Sequence, residues 1–176
     1  AAVNLTDFFL AGFSLGGIVA QTYALTHPEK IRGLILISTG MRVRIAPEFA
    51  ALVKHDFAKA VKTSCDNAYT PAVPRFLYRQ GRDMLLKNGQ EIYYKDIMIC
   101  DTFDSSPWIH RVTRPALIVC GGRDCITPPA LSRELSERLP HSELRVVPDA
   151  GHMVMQEKPA EFNQLVSRFI EKNTGV

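Results

Sequence analysis

The sequence lacks several features that mark particular classes of protein. No apolar run approaches the length of a membrane span, and the first residues lack the basic, apolar and small-residue order of a signal peptide. We therefore expect no membrane partner and a cytoplasmic protein. No basic run exceeds two adjacent residues and the net charge is only +3, so no nucleic-acid partner is expected.

Cysteine is sparse and shows no metal-binding or redox spacing. The four cysteines, none of them in a C-x-x-C pair, are Cys65, Cys100, Cys120 and Cys125. Free thiols in a reducing compartment are therefore favoured over disulfides or a metal site. We expect neither a metal ion nor an organic cofactor.

The hydrophobic pattern is that of an ordinary globular domain. The 176 residues are 46% hydrophobic, enough for one core. Apolar runs at 8–13, 31–38, 115–120 and 144–147 are typical of buried parallel strands, and helical patterns at 17–26, 129–139 and 159–172 separate or follow them. This order predicts an α/β fold with about four parallel strands in sequence order and flanking helices.

Residues 41–110 interrupt this alternation. Helical patterns cover 47–62, 74–86 and 91–100, and no parallel strand is evident among them. One crossover does not need so much chain, so we predict a helical cap or lid inserted into a core formed by 1–40 and 111–176. We expect most of its aromatic residues to pack the cap itself, with one or two facing a substrate: Phe49, Phe57, Phe76, Tyr78, Tyr93 and Tyr94.

The stretch DFFLAGFSLGGIVAQ, residues 7–21, matches the pattern G-x-S-x-G between an apolar strand and a helix. In such an elbow the serine, here Ser14, takes a strained backbone conformation. The flanking Gly12 and Gly16 then avoid a clash because they lack a Cβ. The hydroxyl lies at a helix N-terminus, where free N–H groups favour developing negative charge. The pattern predicts a nucleophilic serine.

Three polar residues follow predicted strands: Ser14, Asp124 and His152. The carboxyl ends of parallel strands meet at one edge of a sheet, so we expect these side chains to lie close together. Their order along the chain, Ser then Asp then His, is that of the α/β-hydrolases.

On these motifs the sequence resembles the α/β-hydrolase superfamily, and within it bacterial carboxylesterase-like serine hydrolases. GFSLGG is similar to the nucleophile turn, GGRDCITPP to the loop of the catalytic acid, and PDAGHMVMQEKP to the histidine loop. The segment ISTGMRVR is also similar to carboxylesterase-like members. The resemblance runs over essentially the whole chain and is weakest at 45–108.

The resemblance implies a role for each matching residue. Ser14 would be the nucleophile, His152 the base and then the acid, and Asp124 the group that orients the imidazole. The backbone N–H of Leu15 would donate to the oxyanion.

The substrate pocket is less well specified. Phe13 and Met153, which adjoin the predicted nucleophile and base, are candidate lining residues. A methionine at Met153 is equally suited to filling the core.

Other residues compete for these roles. Asp149 precedes His152 by three positions, but a solvated loop aspartate is the simpler interpretation. Some family members carry the acid after the preceding strand, here Ser38-Thr39-Gly40, where no carboxylate stands. We expect Cys125 to pack, and four histidines to be surface residues: His27, His55, His110 and His141.

The family's sheet normally has strands before the elbow and a loop that supplies a second oxyanion N–H. No segment of this sequence matches them, so we expect the C-terminal portion of a longer protein, from the elbow onward. The first strand would then be an apolar edge, which predicts homodimerisation, aggregation or pairing with the absent part through Phe8–Phe13.

Together these features predict a serine hydrolase that cleaves a small, mostly apolar ester or thioester through an acyl-enzyme. The alternative is a catalytically incomplete fragment or a non-catalytic binding protein of the same fold. Among enzymes, C–C bond hydrolysis, lactone opening, perhydrolysis and acyl transfer stay open, because one fold hosts many chemistries.

Overall fold

The structure, a computed structural model, describes residues 5–174. Its centre is a parallel sheet of four strands in the order β1-β2-β3-β4: Phe8–Phe13, Ile31–Ile37, Ala116–Gly121 and Ser142–Val147. The predicted α/β fold, with parallel strands in sequence order, is confirmed. The ends of the predicted core, 1–4 and 175–176, lie outside the described residues.

The helices surround this sheet and connect its strands. They are α1 (Leu15–Thr26), α2 (Pro47–His55), α3 (Phe57–Ala68), α4 (Arg75–Asn88), α5 (Gln90–Thr102), α6 (Pro129–Arg138), α7 (Val154–Glu157) and α8 (Pro159–Thr174). Two short 3₁₀ turns, Pro28–Lys30 and Ile109–Arg111, precede β2 and β3.

Both faces of the sheet are covered, which explains why its strands do not alternate in hydrophobicity. Leu34 and Leu36 of β2 pack with α1 and α6 on one face. Ile35 and Ile37, which point the opposite way, pack with α7 and α8 on the other. The strands therefore end at a common edge between two helical layers.

Residues 41–110, called the helical insertion below, contain α2–α5 and have an apolar cluster of their own. The predicted helix over 47–62 is two helices, because Asp56 ends α2 and caps α3 by accepting the Lys59 N–H at 3.0 Å. That the insertion covers an active site stays a prediction.

Most of the insertion's aromatic residues pack as expected. The apolar cluster includes Phe49, Phe57, Tyr93 and Tyr94. Tyr78 stacks at a tilt against Tyr69, with ring centroids 6.0 Å apart. Phe76 does not pack in this way, since it is 66% exposed on α4.

Strand β1 pairs with β2 and lies at one edge of the described sheet. Its predicted role in dimerisation or aggregation stays untested. Between residues 5 and 174, no helix combines the length and the apolar character that a membrane crossing requires.

Candidate active site

Ser14 lies at the turn between β1 and α1 with φ 50° and ψ −116°. This is a positive-φ conformation that a non-glycine residue seldom adopts, and such strain clusters at functional sites. The backbone is held on both sides: the Ser14 N–H donates to the Ile37 carbonyl at 2.9 Å, and the Thr39 hydroxyl donates to the Ser14 carbonyl at 3.1 Å. The turn therefore has the strained geometry that the G-x-S-x-G pattern predicts.

The glycines of the elbow differ in their roles. A Cβ on Gly12 would lie 2.3 Å from the Gly16 carbonyl oxygen, so the expected close approach is confirmed there. The steric argument is wrong for Gly16, where an added Cβ meets no atom within 4 Å. Gly17 is the second tight position, because its Cβ would lie 2.6 Å from the Thr39 side chain.

Asp124 and His152, which follow β3 and β4, form a buried pair. The His152 Nδ1 lies 2.8 Å from the Asp124 Oδ2, and the two residues are 5% and 3% exposed. Exclusion of water strengthens this hydrogen bond relative to one on the surface. The contact leaves Nε2 as the ring nitrogen free to act on a substrate or a hydroxyl.

The Asp124 carboxylate is fixed by its own loop. Its Oδ1 accepts the N–H groups of Ile126 and Thr127 at 2.9 and 2.8 Å. The Thr127 hydroxyl donates to Oδ2 at 2.8 Å and lies 3.2 Å from the His152 Nδ1. Sequence reasoning missed Thr127, although an aspartate in a loop often accepts hydrogen bonds from the backbone two residues further on.

Ser38 and Thr39 occupy the position after β2 where the sequence offers no carboxylate. Ser38 has φ 46° and donates its hydroxyl to the His152 carbonyl at 2.8 Å. The next residue, Thr39, holds the Ser14 carbonyl. Two adjacent hydroxyl residues therefore link the backbones of the nucleophile turn and the histidine loop.

Glu157, also missed from the sequence, joins the histidine loop to the helical insertion. Its Oε1 accepts the Gly151 N–H at 2.9 Å, and its Oε2 accepts the N–H of Thr70 at 3.0 Å together with the Thr70 hydroxyl. The His152 N–H donates to the Ala68 carbonyl at 2.8 Å. The loop that carries the imidazole is thus anchored to the end of α3.

The predicted nucleophile and base lie at the same sheet edge. The Phe13 ring, next to Ser14, has its centroid 4.9 Å from that of the His152 imidazole. Among the hydrogen bonds of residues 5–174, none joins the Ser14 hydroxyl to His152. The catalytic roles of Ser14, His152 and Asp124 therefore stay predictions.

Three further predicted residues lie at this edge. Leu15 begins α1, where helix geometry leaves its N–H without an intrahelical acceptor. Phe13 and Met153 are partly buried, and the Met153 N–H donates to the Ala68 carbonyl at 3.4 Å. Their oxyanion and pocket roles are not tested by this arrangement.

The competing residues lie elsewhere. Asp149 is exposed and pairs with Arg123 at 2.8 Å, as a loop aspartate would. His55, His110 and His141 are exposed, whereas His27 is partly buried and stacks on the Tyr23 ring at 4.6 Å.

The cysteines lie within the described residues and all are free thiols. The expectation that Cys125 packs is wrong, because its side chain is exposed in the turn after Asp124. Burial raises the pKa of the Cys65, Cys100 and Cys120 thiols, which keeps them protonated and unreactive. In the described part of the chain, no three His, Cys, Asp or Glu side chains are grouped to hold a metal ion.

Similarity to known proteins identifies the family of this chain. The model of the family "Serine aminopeptidase, S33" matches residues 2–159. A pimeloyl-[acyl-carrier protein] methyl ester esterase of Chromobacterium violaceum is 28% identical, with 92% of this chain and 69% of that protein covered. The 3-oxoadipate enol-lactonase 2 of Acinetobacter baylyi is 26% identical, over 92% of this chain and 62% of the relative.

Among solved structures, a thermophilic esterase is 34% identical and superposes with a TM-score of 0.85, over 93% of this chain and 65% of the other. The chain thus spans about two thirds of the length of the proteins it matches. Because the family model covers most of the sequence, this chain belongs to the serine aminopeptidase S33 family of enzymes within the α/β-hydrolase superfamily.

Proposed function

We propose that this chain carries the catalytic triad of a serine hydrolase that cleaves a small, mostly apolar carboxylic ester or thioester. The observation that carries the proposal is the buried contact of 2.8 Å between His152 Nδ1 and Asp124 Oδ2, at the same sheet edge as the strained Ser14. A serine hydroxyl is a weak nucleophile by itself, and an oriented imidazole is the usual activating base.

In the proposed reaction, Ser14 Oγ bonds to the acyl carbon while its proton passes to His152 Nε2. His152 then gives this proton to the leaving alcohol or thiol as the bond to the acyl carbon breaks. A water molecule, deprotonated by His152, next attacks the acyl-enzyme. As the bond from the acyl carbon to Ser14 Oγ breaks, His152 returns the proton to Oγ, which leaves a carboxylic acid and the free Ser14 hydroxyl.

Asp124 acts on the imidazole and not on the substrate. Its Oδ2 accepts the Nδ1–H, which fixes the tautomer that has a basic Nε2 and stabilises the imidazolium. Because Thr127 and the loop N–H groups hold the carboxylate, the imidazole has one preferred orientation. This arrangement uses no metal ion and no cofactor.

The Leu15 N–H is proposed as one oxyanion donor, since it opens α1 directly after Ser14. Loss of one such donor raises a barrier by about 2.7–4 kcal/mol in comparable sites. We assign Phe13 and Met153 to the pocket wall and the helical insertion to a cap, because Phe13 contacts the imidazole and Met153 bonds to the end of α3.

The names of the relatives support the ester class. One is named for a methyl ester and another for an enol-lactone, which is a cyclic ester. Both relatives are longer than this chain, so the substrate and the leaving group of this protein are part of the proposal. Among the residues that the structure describes, no specific contact favours C–C bond hydrolysis, perhydrolysis or acyl transfer.

The proposal is tested by hydrolysis of p-nitrophenyl acetate and butyrate, with Ser14→Ala and the exposed Ser167→Ala as a matched control. We expect Ser14→Ala to lower kcat by about 10⁴-fold or more, and Ser167→Ala to leave it unchanged. Turnover by the folded chain no greater than that of Ser14→Ala would favour the non-catalytic alternative.

A further inference from the structure

A cavity of about 470 Å³ lies in the helical insertion, and three arginines line it: Arg75, Arg79 and Arg82. They recur on α4 at spacings of four and three residues, which places them on one helix face. We call this space the arginine cavity. Like charges at such spacings repel one another, so the face gains stability from an anion beside it.

The charges inside the chain do not neutralise this face. Among the described residues of the cavity wall, Asp66 is the one carboxylate, and it is engaged by Lys62 at 2.5 Å and by the Tyr78 hydroxyl at 2.7 Å. Arg82 pairs with its neighbour Asp83 at 2.8 Å. Among residues 5–174, no carboxylate lies within ion-pair distance of Arg75 or Arg79.

The other described residues of the wall are uncharged, and Tyr69 among them is buried. Val73 and Pro71 give it an apolar part. The Tyr69 hydroxyl donates to the Gln156 side chain at 2.9 Å. A Cβ on Gly81 would lie 2.5 Å from that hydroxyl, so the glycine lets Tyr69 pack close to α4.

Hydrogen bonds connect this wall to the histidine loop of the candidate active site. Thr70 lines the cavity and is held by Glu157, which also holds the Gly151 N–H. Two residues before Thr70, the Ala68 carbonyl accepts the His152 N–H. A ligand in the arginine cavity would therefore lie against the segment that anchors the histidine loop.

We propose that the arginine cavity binds the carboxylate or phosphate group of a small, partly apolar molecule. Guanidinium groups match the oxygens of both anions through paired hydrogen bonds, and the apolar wall suits the chain attached to the anion. In its stronger form, which rests on the proposed function, the anion is the far end of the substrate, as in a half-ester of a dicarboxylic acid.

The binding claim is tested without catalysis, in the Ser14→Ala chain. Isothermal titration calorimetry at fixed ionic strength would measure the affinities for glutarate and for inorganic phosphate. We expect saturable binding of at least one anion, weakened about ten-fold by Arg79→Gln, which removes one charge-assisted contact. The control is Arg168→Gln, an exposed position on α8, where we expect no more than about a two-fold change.

The results of the titration decide whether the arginine cavity binds an anion. Binding that is weakened in Arg79→Gln but not in Arg168→Gln supports the proposal, and the anion that binds more tightly shows whether the cavity prefers a carboxylate or a phosphate. Absence of saturable binding, or equal effects of Arg79→Gln and Arg168→Gln, overturns it. A circular dichroism melt of Arg79→Gln confirms that the variant is folded.

The link to the substrate is tested by kinetics in the active chain, with monomethyl glutarate and the neutral methyl butyrate. We expect Arg79→Gln to raise KM for the charged ester about ten-fold and to leave KM for the neutral ester unchanged. If neither ester is cleaved while glutarate still binds, the proposed hydrolase function fails and the anion site stands. If both esters are cleaved and Arg79→Gln affects them alike, the substrate claim fails.

Discussion

The carboxylate of Glu157 accepts both the backbone N–H and the hydroxyl of Thr70, which lies 87 residues earlier in the chain. Thr70 follows the last helical turn of α3, and Glu157 ends α7, directly after the histidine loop. One side chain thus ties the helical insertion to the loop that presents His152. The insertion is therefore coupled to the position of the candidate base.

The first prediction concerns the hydrogen bonds between Glu157 and Thr70. Glu157→Gln keeps one oxygen but turns an NH₂ group towards N–H or hydroxyl donors, so hydrogen bonds to a charged acceptor are lost. We expect a loss of about 1.5–3 kcal/mol in the free energy of unfolding, measured by urea denaturation. The control is Glu161→Gln, an exposed position on α8. Equal free energies of unfolding for the two variants would show that the hydrogen bonds of Glu157 do not stabilise the fold.

The second prediction concerns Thr127. Thr127→Val keeps the shape of the side chain but removes the hydroxyl that bonds Asp124 Oδ2 in a site only 2% exposed. We expect kcat to fall about ten-fold with KM unchanged, because the imidazole loses part of its orientation. The control is Thr102→Val, because Thr102 is exposed and its hydroxyl donates only to carbonyls of its own helix. A rise in KM at constant kcat would contradict this role.

The extent to which the sequence predicts the structure differs between backbone and site. The strands were predictable because β2 contains the apolar run 34–37 and β3 is almost wholly apolar. The break between α2 and α3 was not, because Asp56 ends one helix and caps the next inside an unbroken helical pattern.

The site shows the same division. The placement of Asp124 against His152 follows from strand order and a known motif. The hydrogen bonds of Ser38 and Glu157 span 114 and 87 residues, and a single serine or glutamate carries no periodic signal for such contacts. These supporting residues emerge only when the chain is folded.

The third prediction concerns thiol reactivity. Cys125 is exposed, whereas burial raises the pKa of Cys65, Cys100 and Cys120 and so lowers their thiolate fraction near pH 8. We expect Ellman's reagent to modify one thiol rapidly in the folded protein and the others only after unfolding. Cys125→Ser removes the rapid phase. Two thiols reacting at the same fast rate would contradict the burial pattern.

The fourth prediction concerns alkaline pH. Burial, followed by the hydrogen bond to Asp66, raises the pKa of Tyr78 to about 12 from an ordinary value of 10.0. A raised pKa means that the phenol keeps its proton to a higher pH in the folded state than in the unfolded state. The stability contributed by Tyr78 is therefore fully present below pH 10 and is lost as the pH rises to about 12.

The measurement is the difference in unfolding free energy between the wild-type chain and Tyr78→Phe as a function of pH. We expect the extra unfolding free energy of the wild type over Tyr78→Phe to decrease as the pH rises above 10. Asp66→Asn lowers the pKa of Tyr78 in a spectrophotometric titration, because the charged acceptor is lost. A pH-independent difference would show that the phenol is not perturbed.

The most direct test of the proposed catalytic triad is treatment of the folded chain with a fluorophosphonate probe, followed by mapping of the labelled residue by mass spectrometry. If Ser14 is activated by His152, we expect labelling at Ser14, loss of labelling in Ser14→Ala and in His152→Ala, and retention in Ser167→Ala. Folded protein that stays unlabelled, or that is labelled equally without His152, would contradict the proposed triad.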